Sequence, residues 1–298
     1  MPFDIRRGVF FSILASSLFG LMVYATTWLA PLSGLEIYGW RMALSLPLVT
    51  LLMGWDDRWA SIAQVWQRIV ATPQLLWGIA VCSALLTMQL ALFMWAPVNH
   101  LSLEVSLGYF ILPLSLILTG RWVYQEKLST WQSAAALLGL LGVCNQVFNA
   151  GGVSWPTAVI NVGYPLYFVL RRKLHLNHLG GLWFEIALAY PLALYWVFQS
   201  LAHHNGLWHQ HPSLAWGLLG LGLISTTALM SHVLSARFLP LGLFGLLGYV
   251  EPVLLVAVAW VLGDTIEGAA WWTFIPIWIA VLLLALEGLL GLRRSSDH

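Results

Sequence analysis

Arg41, Glu104, Glu185 and Glu251 each stand inside a long apolar run of the chain. A charge at the centre of a membrane-spanning helix costs about 2.5–3.5 kcal/mol on insertion scales, so each position needs a physical reason. A desolvated guanidinium can grip a carboxylate or phosphate through two parallel N–H bonds, and a carboxylate at similar depth can bind a cation or carry a proton. At a rise of about 1.5 Å per residue, Arg41 falls roughly 5 Å to the outer side of the midplane and Glu251 close to the midplane, with Glu104 roughly 10 Å outward and Glu185 roughly 8 Å inward. Gln89 shares the level of Arg41. Depth therefore favours Glu251 as the charge partner of Arg41, with Glu104 next, and argues against a direct bridge to Glu185. Trp40, Gln89, Trp95, Tyr109 and Tyr249 supply polar and aromatic surface for a cavity around these charges. The alternative is a buried ion pair that only fixes helix register.

Other chemistries find little support. There is no His-Glu-x-x-His pattern, no phosphate-cradling Gly-Lys-Ser/Thr loop, no paired-carboxylate motif at membrane depth and no cofactor fingerprint. Cys82 and Cys144 lack metal-ligand spacing and read as packing residues. The stretch His203-His204-Asn205-Gly206-Leu207-Trp208-His209-Gln210-His211 holds imidazoles that suit a transition metal, but a solvated loop is the preferred reading, and no metal is assigned. An intramembrane enzyme and a non-transporting membrane sensor or scaffold are the rival functions to a transporter.

The elements that must position these residues follow from composition. Of 298 residues, 60% are hydrophobic and 8% charged, against roughly a quarter charged in a soluble domain. The net charge of +1 gives no basic surface for nucleic acid, and 18 Trp suit many membrane–water interfaces. Apolar runs near 8–29, 35–54, 74–96, 101–122, 129–148, 153–170, 181–201, 213–236, 241–262 and 269–292 predict an all-α polytopic membrane protein of ten transmembrane helices embedded in the lipid bilayer. Residues 55–73 and 202–213 read as the longest polar connections. Lys and Arg gather at alternate connections, among them Arg6, Arg7, Arg68, Arg121, Arg171, Arg172 and Arg237, which places both termini in the cytoplasm.

Arg41-Met42-Ala43-Leu44-Ser45-Leu46-Pro47-Leu48 aligns without gaps with Glu185-Ile186-Ala187-Leu188-Ala189-Tyr190-Pro191-Leu192. Leu107-Gly108-Tyr109 with Pro113 and Glu126 corresponds to Leu247-Gly248-Tyr249 with Pro252 and Asp264. Both matches join span n to span n+5. They predict one five-helix unit over 1–149 and a second over 150–298, inverted because an odd number of spans reverses orientation. Stripes at helical spacing, Ser12, Ser16 and Gly20 in one run and Asn161, Tyr164 and Tyr167 in another, read as helix-packing faces, as does the series Gly242, Gly245, Gly248.

Trp95-Ala96, Asn99-His100 and Glu104-Val105-Ser106-Leu107-Gly108-Tyr109-Phe110-Ile111-Leu112-Pro113 resemble the RarD group of the EamA family, within the drug/metabolite transporter superfamily. Arg41, the segment from Tyr167 to Lys173, Glu185 with Pro191, and Tyr249 with Pro252 fit the same pattern across essentially the whole chain. The resemblance implies a bacterial inner-membrane carrier of two inverted five-helix repeats, exporting a small metabolite or drug through a central cavity. Trp40, Phe19 and Asp264 stand where the family pattern has His, Trp and Glu.

Overall fold

A computed structural model describes residues 4–55, 59–96, 99, 101–149, 152–204, 213–251, 253–254, 268 and 271–296. Among them the regular structure is helical throughout: α1 Ile5–Thr26, α2 Gly34–Trp55, α3 Trp59–Ala71, α4 Gln74–Trp95, α5 Ser102–Tyr124, α6 Thr130–Asn149, α7 Trp155–Lys173, α8 Leu179–His203, α9 Ser213–Phe238, α10 Leu241–Leu247 and α11 Trp271–Ser296. Six of these (α1, α2, α4, α5, α8 and α9) are long and apolar enough to cross a bilayer. Pro252, Asp264, Glu267, Asp56, Asp57, Arg58, His100, His209 and His211 lie outside the described residues.

Local chemistry sets the helix ends. Ser33 and Glu36 form a capping box at the start of α2, with Ser33 N donating to Glu36 Oε2 at 2.7 Å and Glu36 N to Ser33 Oγ at 3.4 Å. His178 Nδ1 accepts from Gly181 N at 3.3 Å and caps α8. Gln125, in the left-handed region at φ 54°, stops α5. The next residue, Glu126, accepts from the backbone N–H groups of Leu241 and Gly242, both at 2.8 Å, so the α5–α6 turn caps α10.

The 55–73 connection is not only a polar loop: it contains α3. Val65 and Ile69 of α3 are buried beside Ile79, Leu176 and Phe184, while Trp59, Trp66 and Val70 are exposed. Thirteen residues cannot span a bilayer, and a helix with one buried and one exposed apolar side suits the interface.

In the bundle, α1 packs on α9, α2 on α8, α6 on α11, α5 on α7 and α10, and α4 on α7 and α8. Glycine permits the closest approaches: a Cβ at Gly245 would lie 2.7 Å from Leu116 Cβ, and one at Gly142 would lie 2.7 Å from the Thr273 carbonyl oxygen. Two indole N–H groups bridge α2 and α8, Trp40 to Ser200 Oγ at 3.2 Å and Trp183 to Thr50 Oγ1 at 2.8 Å. Cys82 is buried, but Cys144 faces outward from the bundle. Several cations read as markers of one membrane face also fasten structure. Arg68 donates to the carbonyl of Leu174 at 2.8 Å, Arg172 reaches Glu126 at 3.1 Å, and Arg171 is buried.

Candidate functional site

A cavity of about 320 Å³ lies where α1, α2, α4, α5, α7, α8, α9, α10 and α11 converge. Its polar groups are Ser12, Ser16, Arg41, Ser106, Tyr109, Tyr164, Tyr167, His232 and Glu251, set among the rings of Phe19, Phe93, Phe110, Phe168, Phe244 and Phe274. Arg41 is 0% exposed. Its Nε donates to Ser225 Oγ on α9, whereas both terminal guanidinium nitrogens lack a hydrogen-bond partner among the described residues. Glu251, Tyr109 and Tyr164 lie within electrostatic reach of this guanidinium. The two tyrosine hydroxyls stand 3.3 Å apart, either able to donate to the other. His232 packs against the rings of Phe19, Phe168 and Phe244. A cationic fork with unfilled donors, facing an aromatic chamber with one carboxylate on its wall, is suited to an organic anion or zwitterion with an apolar body.

Arg41, Tyr109 and Glu251 are therefore brought together on one wall, and the other sequence-derived candidates are not among the residues that line it. Trp40 points to Ser200 on α8. Gln89 donates to the Val159 carbonyl at 3.0 Å, against α7, and Trp95 packs on Trp155 with ring centroids 6.3 Å apart. Tyr249 is fully buried against Gly139 of α6, where a Cβ would come within 2.6 Å of its hydroxyl. Glu104 sits in the first turn of α5, its backbone carbonyl accepting from Thr157 Oγ1 at 2.7 Å and its Oε2 without a partner.

Glu185 has a partner other than Arg41. Arg171 NH1 lies 3.2 Å from Glu185 Oε2, with side chains 1% and 0% exposed. Tyr167 joins them, its hydroxyl donating to Glu185 at 2.9 Å and accepting from Arg171 NH1 at 2.6 Å. Arg171 NH2 also donates to the carbonyls of Leu176 at 2.7 Å and His178 at 3.3 Å, which ties the end of α7 to the start of α8. Tyr167 lines the cavity as well, so this ion pair stands directly behind the chamber wall.

No protein-family model matches the chain. It is 39% identical over 295 residues to the "Chloramphenicol-sensitive protein RarD" of Pseudomonas aeruginosa, covering 97% of each chain. The chain belongs to the RarD-like transporters. A second relative, an "Uncharacterized transporter" of Haemophilus influenzae, is 36% identical over 283 residues, covering 95% of this chain and 94% of that one. The "Protein RarD" of Escherichia coli is 27% identical over 296 residues, covering 98% of both. One solved crystal structure shares the fold at a TM-score of 0.66 and 18% identity, over 94% of this chain and 96% of the other. The RarD-like chain is thus a multi-pass membrane protein of a transporter family, and these relatives are named as RarD proteins or as a transporter rather than as enzymes.

Sequence reasoning did not single out Ser225, Arg171 or the ring of phenylalanines as parts of this RarD-like cavity and its surround. Arg171 was concealed among three consecutive cations ending α7, although Tyr164, Tyr167 and Arg171 recur at spacings of three and four on one helical face. Nothing in the apolar runs distinguishes the six cavity phenylalanines from those that face lipid.

Proposed function

We propose that this chain is a secondary transporter that moves a small amphipathic organic anion or zwitterion, a metabolite or drug, by alternating access. The two terminal nitrogens of buried Arg41 on the cavity wall, without a hydrogen-bond partner among the described residues, carry the reading. A guanidinium on the wall of a largely aromatic chamber turns its donors to whatever enters, and a carboxylate there would accept from two of them in parallel. Glu251 would bind the cationic end of a zwitterion or exchange a coupling proton. Tyr109 and Tyr164 would orient the ligand, and the aromatic wall would shelter its apolar body. Trp40, Gln89, Trp95, Tyr249, Glu104 and Glu185 would act by holding the helices that carry the cavity.

We further infer ten spans in two inverted units, 1–149 and 150–298, with both termini cytoplasmic in the plasma membrane of a bacterium. The helix contacts support this inference. Exchanging α1, α2, α4, α5 and α6 with α7, α8, α9, α10 and α11 turns the contact of α1 with α9 into that of α7 with α4. The same exchange converts α2 with α9 into α8 with α4, and α5 with α7 into α10 with α1. The pairs α2 with α8, α5 with α10 and α6 with α11 map onto themselves. Two units related by a two-fold axis in the membrane plane would produce this pattern, and rocking about such an axis would expose the cavity to each side in turn. Among the described residues α3 has no counterpart under the exchange.

The test compares metabolite pools inside and outside cells with and without the protein, beside cells expressing Arg41→Met at equal membrane abundance. One or more organic anions or zwitterions should change distribution with the wild-type chain only. A redistribution that persists in Arg41→Met would refute the assignment of the site.

A further inference from the structure

We propose that Glu126 is a latch that closes the central cavity on the membrane face where α5 ends and α10 begins, and that its release is a step of the transport cycle. The latch presupposes the alternating-access reading of the cavity and supplies one of its two closures. Glu126 stands in the first inferred unit, 1–149, whereas the groups its carboxylate holds stand in the second. Oε1 lies 3.1 Å from Arg172 NH1 at the end of α7 and accepts from Leu241 N at 2.8 Å, and Oε2 accepts from Gly242 N at 2.8 Å. Arg172 NH2 donates to the Leu239 carbonyl at 2.8 Å, and its guanidinium lies over the Tyr124 ring, 4.8 Å from the centroid. One carboxylate therefore fastens the end of α5 to the end of α7 and to the turn between α9 and α10. Two ion pairs could serve as a closure, and burial decides between them. Arg171 and Glu185 belong to one unit and are 1% and 0% exposed, so parting them strands charge out of water. Arg172 and Glu126 join the two units and are 14% and 13% exposed, so water at this face can take over their hydrogen bonds as they part.

The packing of α5 on α10 gives the latch its leverage. The two helices run antiparallel: a Cβ at Gly120 would lie 3.0 Å from Gly242 N, one at Gly245 would lie 2.9 Å from the Pro113 carbonyl oxygen, and one at Gly248 would lie 3.7 Å from Pro113 Cγ. They cross at Gly245, where no side chain interlocks the two backbones. The latch is on one side of this crossing. On the other, Ser106 and Tyr109 of α5 and Glu251 beyond α10 line the cavity. Exposure of the α5 wall falls towards the latch, from exposed Ser106 to buried Leu116, one turn before Gly120. Helices that cross at a glycine can tilt about the contact. Holding Gly120 against Gly242 keeps the ends beyond the crossing apart, and parting them lets those ends approach, which is the exchange of access that two rocking units require.

Ser12→Cys reports on the latch. Ser12 lines the cavity, is buried, and stands on α1 close to the latch face, where Ser235 Oγ donates to the Gly8 carbonyl at 3.0 Å and Phe11 stacks on Phe238. The full chain carrying Cys82→Ala/Cys144→Ala/Ser12→Cys would be treated, in right-side-out and in inside-out membrane vesicles, with a charged, membrane-impermeant methanethiosulfonate. The labelling rate from the face where α1 starts should be low while Glu126 is in place. Glu126→Gln should raise that rate about fivefold, the effect of losing one helix cap, with no rise from the opposite face. Arg121→Gln, at an exposed position in the last turn of α5, should leave it unchanged. If Glu126→Gln fails to fold, Gly120→Ala tests the same contact without altering a charge. Its Cβ would lie 2.6 Å from Glu126 Oε2, while alanine favours helix in α5, and the same one-sided rise is expected. An unchanged rate in a folded variant overturns the proposal, as does an equal rise from both faces or in Arg121→Gln, which would mean general loosening. Labelling does not require transport: failure of the Arg41→Met test leaves this outcome readable, and failure of the latch leaves the binding assignment intact.

Discussion

Replacing Arg41 by Met separates a binding residue from a structural one, because the two roles predict opposite effects on stability. Methionine keeps a long flexible stem and removes the charge. The folded chain is relieved of a buried guanidinium whose terminal nitrogens have no partner among the described residues, a relief of about 2.5–3.5 kcal/mol if the full insertion penalty applies. It forfeits the bond from Nε to Ser225 Oγ, and a hydrogen bond to a charged group contributes about 1.5–3 kcal/mol. The balance runs from near zero to a stabilisation of about 2 kcal/mol. Unfolding in detergent can be followed by intrinsic fluorescence from the 18 Trp, and the same preparations reconstituted in liposomes would be assayed with an anion identified from the metabolite comparison. Arg41→Met should unfold no earlier than wild type and transport at background. Arg41→Lys, which keeps charge but lacks the planar fork, should fall by tenfold or more. A destabilisation of about 3–5 kcal/mol, the cost of breaking a buried ion pair, would refute the reasoning by showing that the guanidinium is half of a structural bridge.

Glu185→Gln should behave oppositely, since it strands Arg171 without its counter-charge: a loss of about 3–5 kcal/mol is expected in the same unfolding measurement, with most of it recovered in Arg171→Met/Glu185→Leu. His178 makes stability depend on acidity. Burial, then Arg171 and Arg237, press its pKa from 6.5 down to about 4 on folding, so between those values the unfolded chain binds a proton that the folded chain refuses. Stability should fall as pH is lowered through that window, and His178→Asn, which can still cap α8, should flatten the slope in unfolding curves recorded from pH 7 to 4. Glu126→Ala removes the acceptor for Leu241 N and Gly242 N together with the contact to Arg172. Hydrogen exchange at the start of α10 should accelerate by roughly 30-fold, matching a loss of about 2 kcal/mol, and unchanged exchange there would show that the cap is dispensable.

Helical, multi-pass character was legible in the chain because it is a local property: a run of about 20 apolar residues must satisfy its backbone within itself to cross lipid. The unusual status of Arg41, Glu185 and Glu251 was equally legible, since charge in an apolar run costs energy whatever surrounds it. The resemblance carried by the segment from Glu104 to Pro113 pointed to the family that the relatives then established. Helix α3 left a trace in the spacing of Ile62, Val65 and Ile69, but its short length and polar neighbours made it read as a loop. Depth along a helix axis, which spacing supplies, orders charges by level without specifying the direction in which each side chain points. That direction depends on how every helix is rotated against its neighbours. Rotation turned Tyr249 towards Gly139 and away from the chamber, carried Trp40 to Ser200, and joined Glu185 to an arginine that sequence had assigned to the surface. It also set the Arg41 guanidinium on the lining of the central cavity. Sequence thus determined which residues the membrane would penalise, while only the packing of the helices decided which of them met a partner and which came to line the central cavity.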